Sequence, residues 1–352
     1  MAPSPAGPRT CFWELTRRCA LACLHCRSFS GARGRAELAP DEQLGVADQL
    51  VALRTRTVVL TGGEPTLCPG WELVARRLAD GGVRVRLFTS GYAFDAAALR
   101  AALDAGVSQF AVSLDGPRPI HDDLRPAADA GGPSSFDEAV SAIERIAAAG
   151  GDLRVVTQVN RVNAGHLDAI YDLLLDRGVR RWQVQLCQMA GRARDDRDGL
   201  AADPRDLEAV LRVLLRAARE RKVLAPLHCT VGYMTREEPV LRGREVSRRA
   251  AWRGCRAGRR TLAVTADGGV KGCTSLPDEF VSASVRERPL AAIWADERCF
   301  PYARAWSREI LGGSCATCPF GTACRAGCPA VAYGATGSIG ANPYCLRLVR
   351  RS

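Results

Sequence analysis

The stretch CFWELTRRCALACLHC, residues 11–26, decides how this chain is read. Residues 11–16 form a short β-rich run, and Cys19, Cys23 and Cys26 follow at spacings of four and three, so one loop carries three thiols. A structural zinc site wants four ligands, and no fourth is placed naturally, since His25 adjoins Cys26 and points elsewhere. Soft thiolates also suit iron–sulfur clusters. Three of them on a four-iron cube leave one iron open, as chemistry on a bound ligand requires.

Working outward, a second strand at 57–60 ends in TGGEP, residues 61–65. Gly62 and Gly63 permit close backbone approach, and Glu64 can accept from an amine. Further strands are expected at 84–89, 109–114, 153–159 and 182–187. Helices at 41–53, 71–79, 95–105, 135–149 and 167–177 separate the strands, and a sixth follows at 206–222. Asp41 and Ser135 sit where N-caps belong, and Gly81, Gly106, Gly150 and Gly178 where helices stop. The pattern predicts an α/β fold of six βα units with parallel strands. In a parallel barrel both motif loops share the C-terminal face, where active sites are built.

Composition sets the bounds. The 352 residues are 47% hydrophobic and 25% charged, enough for roughly two domains and against disorder. Fifteen cysteines, about 4% of the chain, fall short of the roughly 8–10% of a disulfide scaffold. No signal peptide and no run of about 18 apolar residues stands out, so a cytoplasmic protein without membrane contact is expected, with reduced thiols. The net charge of +11 is carried almost wholly by arginine, since lysine occurs only at 222 and 271, a bias that reads as codon usage. The densest basic run, from Arg236 to Arg260 with Arg248, Arg249, Arg253, Arg256 and Arg259, could meet an acidic peptide. Sparse aromatic residues and no helix-turn-helix or RNA-binding signature argue against nucleic acid.

Near Leu224 the texture changes, and Gly, Pro and Cys rise. The boundary expected there gives 1–224 as the barrel and 225–352 as a bridging region and Cys-rich domain. Cys255, Gly268 and Cys273 come first, then Cys315, Cys318, Cys324, Cys328 and Cys345. The plain alternative is a zinc ribbon, because CxxC pairs bind zinc readily.

The CxxxCxxC triad and GGEP, in this order on strands one and two, resemble the signatures of radical S-adenosylmethionine (SAM) enzymes. The resemblance covers residues 9 to about 222 and implies a partial (β/α)6 TIM-like barrel. It implies that Cys19, Cys23 and Cys26 hold a 4Fe-4S cluster whose unique iron chelates SAM. By the same resemblance His25 lies beside the adenine, and Gly62, Gly63 and Glu64 receive the methionine amino group. Ser113 and Asp115 contact ribose or methionyl oxygens, Arg125 pairs with the SAM carboxylate, and Leu186 packs near adenine. Thr89 and Ser90 stand where TNG is more usual. Read without the resemblance, Ser113 and Asp115 end a strand and begin a turn.

From Cys255 to Cys345 the spacing resembles the SPASM extension of the same enzymes, which implies two auxiliary 4Fe-4S clusters. Cys315, Cys318, Cys324 and Cys345 would hold the outer cluster; Cys255, Cys273 and Cys328 would hold the inner one. A fourth inner ligand often lies shortly after the first, yet 256–272 contains no Cys. Either that iron is open, or Cys229 or Cys299 folds back to it. Cys187, at the end of strand six, is a weak catalytic candidate as a hydrogen donor; the simpler reading is a small core residue.

The resemblance implies that a reduced triad cluster cleaves SAM to a 5'-deoxyadenosyl radical, with auxiliary clusters favouring oxidative outcomes. The expected function is a radical SAM/SPASM maturase that crosslinks or decarboxylates a side chain of a ribosomally synthesised precursor peptide. One alternative is a haem-pathway enzyme acting on tetrapyrrole side chains, which shares a start resembling WELTRRC, residues 13–19, and whose carboxylates would suit many arginines. A non-enzymatic zinc-binding adaptor is the other. Thr274, where sulfatase maturases usually carry Asp, argues against that activity. Only 18 residues precede Cys19, so leader binding is expected from a separate leader-recognition protein or from the barrel and Arg-rich segment. An electron donor such as flavodoxin or ferredoxin is the other expected partner.

Overall fold

The computed structural model describes residues 7–28, 36–129, 131–195, 199–242, 252 and 254–350. Six parallel strands, β1 (Thr10–Thr16), β2 (Thr57–Gly62), β3 (Arg84–Thr89), β4 (Val107–Ser113), β5 (Leu153–Val159) and β6 (Trp182–Leu186), pair in sequence order. Crossover helices connect them: α1 (Pro40–Ala52), α2 (Trp71–Asp80), α3 (Ala96–Asp104), α4 (Arg118–Leu124) with α5 (Ser135–Ala148), and α6 (Leu167–Asp176). α7 (Asp206–Glu220) follows β6.

Strand and helix periodicities meet at the core. In β3, Val85 and Leu87 are fully buried against the helices while Arg86 and Phe88 alternate toward the lumen. Trp71, Val74, Ala75 and Leu78 give α2 one apolar stripe. The helix starts differ slightly from expectation. Asp95 caps α3 by accepting from Ala98 N at 2.8 Å, and Ser134 rather than Ser135 caps α5. α1 begins at Pro40, whose missing N–H costs nothing at that position, so Asp41 lies inside the first turn instead of capping it.

The sheet does not stop at six strands. β7 (Thr261–Val264) joins β1 in parallel, Thr10 opposite Thr261, and β8 (Gly269–Lys271) and β9 (Ala283–Ser284) continue antiparallel. At the other edge Leu224 O accepts from Trp182 N at 3.0 Å, so the chain leaving α7 runs beside β6. One hydrophobic cluster reaches from Cys11 to Leu346 and includes residues on both sides of Leu224. No helix among the described residues is long and apolar enough to cross a membrane.

This topology sets two levels. The Cys19–Cys26 loop leaves the C-terminal end of β1. Cys273 follows Gly272, whose carbonyl accepts from Thr261 Oγ1 at 2.9 Å, level with the N-terminal end of β1. On that side a seven-residue strand separates the levels, about 20 Å.

Candidate active site

The cysteine loop is laced to the segment that follows α4. Ala22 N donates to Pro126 O and Leu24 N to Leu124 O, which fixes Arg125 beside the thiols. Arg192 closes the loop from β6, its backbone N donating to Cys26 O and its guanidinium to Cys23 O. Gly191 makes this possible: a Cβ there would stand 2.2 Å from Cys26 O. The glycines of GGEP serve the same end. A Cβ on Gly63 would lie 2.1 Å from Arg18 O, and Gly63 N and Glu64 N donate to Thr16 O and Arg18 O, both at 2.7 Å. The expected close approach is therefore to the chain's own cysteine loop.

Asp115 is the hub of this end. Wholly buried, it accepts from Arg125 Nε at 2.7 Å and from Gln158 N at 2.8 Å, and His25 Nε2 stands 3.1 Å away without an aligned hydrogen bond. Its own backbone N donates to His121 Nδ1 at 3.0 Å. Burial would raise the Asp115 pKa, but Arg125 and His25 hold it well below the usual carboxylate range. Burial lowers the His25 pKa, against the pull of Asp115. For Arg125 burial is outweighed by Asp115 and Cys23, which keep it firmly charged, and its Nη1 lies 3.9 Å from Cys23 Sγ.

The remaining expected SAM contacts divide. His25, Gly62, Gly63, Ser113 and Arg125 line a common cavity. Glu64, Asp115 and Leu186 do not, and the reasons are physical. Glu64 is buried with Oε2 accepting from Ser90 N and Oγ at 2.9 and 2.8 Å. Asp115 has its carboxylate consumed as described. Leu186 is a core residue whose N donates to Thr230 Oγ1. Cys187, expected on the catalytic face, packs with Leu124, Met189, Ala193 and Leu200 outside that lining.

The cavity measures about 1200 Å³ and runs from Cys19, Cys23 and Cys26 to Cys229, Cys255, Cys273 and Cys328. Eight arginines line it, Arg86 and Arg154 from β3 and β5 and Arg256, Arg259 and Arg260 beside β7 among them, with no Asp or Glu among the described residues. Arg154 donates to Gln183 Oε1 at 3.0 Å, while Arg86 Nε is buried without a partner. Burial and the neighbouring Arg154 lower the Arg86 pKa. Of the expected basic run, Arg256 and Arg259 reach this lumen; Arg248, Arg249 and Arg253 lie outside the described residues.

None of the fifteen cysteines forms a disulfide. Burial pushes Cys19 up to about 12, with Glu64, Cys23 and Cys26 adding to it, so metal binding there must displace protons. Cys315, Cys318, Cys324 and Cys345 form a separate group, in which burial raises the pKa of Cys315 and pushes Cys324 up to about 12, with the neighbouring thiols adding to both. No three His, Cys, Asp or Glu among the described residues converge to hold a single metal ion. Free thiols grouped on short loops are the donor chemistry iron–sulfur clusters take. Cys299 is buried elsewhere, its Sγ accepting from Arg288 Nη2 at 3.4 Å. Arg192, Gln158 and Tyr233, which organise the two ends, carry no motif in the sequence that marks them.

Comparison with known proteins agrees with this arrangement. The radical SAM superfamily matches residues 13–174, and the SPASM iron-sulfur cluster-binding domain matches residues 255–319. The AdoMet-dependent heme synthase of Methanosarcina barkeri is 31% identical over 97% of each chain. The mycofactocin maturase MftC of Mycobacterium ulcerans is 31% identical over 91% of this chain and 83% of its own. The crystal structure of Streptococcus suis SuiB bound to precursor peptide SuiA shares the fold, with a TM-score of 0.72 at 14% identity over 96% of this chain and 75% of that one. The non-enzymatic adaptor reading falls, and the chain belongs to the radical SAM superfamily as an enzyme that uses SAM and iron–sulfur clusters and carries a C-terminal SPASM domain.

Proposed function

We propose that this enzyme crosslinks or decarboxylates a side chain of a ribosomally synthesised, carboxylate-bearing precursor peptide. The observation that carries the reading is the lumen between the two cysteine levels, lined by arginines and, among the described residues, free of carboxylates. Guanidinium forks match carboxylates in geometry and charge. The maturase relative supports a peptide substrate.

Three 4Fe-4S clusters fit the sequence spacing: one on Cys19, Cys23 and Cys26, an inner one that includes Cys255, Cys273 and Cys328, and an outer one on Cys315, Cys318, Cys324 and Cys345. With SAM bound, the first supplies a 5'-deoxyadenosyl radical for hydrogen abstraction. The chain's own part is positional. His25, Gly62, Gly63, Ser113 and Arg125 present the SAM-binding wall, Asp115 orients Arg125 and His25, and Glu64 orients Ser90. The β1–β6 lumen shields the reacting carbon from water. The barrel ends near Leu224, and the remainder supplies the auxiliary ligands. An electron donor such as flavodoxin or ferredoxin, and a separate leader-recognition protein, complete the system.

A second reading is favoured by the same lining together with the heme synthase relative: oxidation of tetrapyrrole propionate side chains. Anaerobic incubation with SAM and a reductant separates the two. The peptide reading predicts that the product of a short reading frame beside the gene loses two hydrogens, or carbon dioxide and two hydrogens, by mass spectrometry. Turnover of an iron tetrapyrrole with propionates, and none of the peptide, would overturn it in favour of the second.

A further inference from the structure

We propose that Cys229 completes a four-thiolate set with Cys255, Cys273 and Cys328, so that the inner cluster has no iron open to a substrate thiolate. This rests on the iron–sulfur reading of the inner set. A six-strand barrel is open between its edges, and the inner set lies at that opening. Cys255 and Cys273 come from the β7 side. Cys229 comes from the β6 side, where Leu224 and Thr230 hold the chain against Trp182 and Leu186. All four residues line the same lumen.

One buried hydroxyl ties the new member to an expected ligand. Tyr233 OH donates to Cys229 O at 2.8 Å and accepts from Cys328 N at 3.0 Å. Tyr233 is 1% exposed, and its ring occupies the space a Cβ on Gly327 would need, 2.4 Å from Cε2. Gly327 also has φ +69°, so the turn into Cys328 suits glycine on both counts. Cys299 cannot take the role from its seat against Arg288.

The test uses the full chain carrying C19A, C23A and C26A, so that only auxiliary clusters form on anaerobic reconstitution. This parent should bind about eight iron and show no spectral change when 2-mercaptoethanol is added. Adding C229S should cost iron, produce the EPR signal of an oxidised three-iron cluster, and create a spectral response to the thiol. C299S should do none of these. The proposal is overturned if C229S keeps the parent's iron count and spectrum, if C299S gives the three-iron signal, or if the parent itself binds the thiol. Should C229S fail to fold by circular dichroism, the parent's response to the thiol still decides. A parent that holds zinc, or only about four iron, removes the inner cluster and so overturns the reading beneath the proposal, a result distinct from the others.

Discussion

Arg125 Nε lies 2.7 Å from Asp115 Oδ2, a pair whose carboxylate has no solvent exposure and whose guanidinium side chain keeps 9%. Removing one partner of a buried ion pair strands the other charge and costs about 3–5 kcal/mol. D115N should lower stability on that order and weaken SAM binding, because Arg125 and His25 lose their common anchor. The double variant D115N/R125M should recover part of the stability, read as a non-additive cycle in denaturant midpoints. Additive losses would show that the pair does not act as a unit.

His121 answers to pH. Its Nδ1 accepts from Asp115 N, and burial together with Arg125 lowers its pKa to about 4 from the ordinary 6.5. Unfolding therefore takes up a proton in that window, so stability held at pH 7 declines as pH falls below about 6.5 and levels off near 4. His121's share of the decline should reach roughly 3 kcal/mol, read from anaerobic denaturation at a series of pH values as the difference between the unaltered chain and H121N, which retains an acceptor and cannot titrate. His25 and His228, whose pKa burial also lowers, keep the remainder of the slope in H121N.

Arg86 and Arg154 should bind substrate rather than SAM. In R86Q and R154Q, 5'-deoxyadenosine formation without substrate should stay within about 2-fold, while product formation falls about 10-fold or more through KM, the scale of a lost charge-assisted hydrogen bond. Loss of substrate-free SAM cleavage in these variants would place them at the SAM end instead.

Gly63 is a steric requirement. G63A puts a Cβ 2.1 Å from Arg18 O, against backbone that carries the cysteine loop. Reconstituted G63A should lose about four iron per chain, the triad's share, while keeping the auxiliary iron.

Much of this was legible in the sequence. The six parallel strands lie within two residues of expectation, because each reads as a compact β-rich run ending at a glycine, a cap or a motif. β7 to β9 escaped because strands of four, three and two residues carry too little pattern. α4 escaped because Pro117 and Arg125 bracket only seven residues. At the site, thiols and glycines announced themselves through spacing. Glu64 and Asp115 are readable as polar positions of a motif, yet nothing in their spacing says that Ser90, Arg125 and Gln158 occupy their carboxylates. Cys229 is 26 residues upstream of Cys255, and only the return of the chain along β6 brings it to the inner set.

The most direct test is iron and sulfide content per chain after anaerobic reconstitution of the unaltered protein. About 12 of each is predicted, for three four-iron clusters. About four of each, or zinc in place of iron at the C-terminal cysteines, would contradict the account.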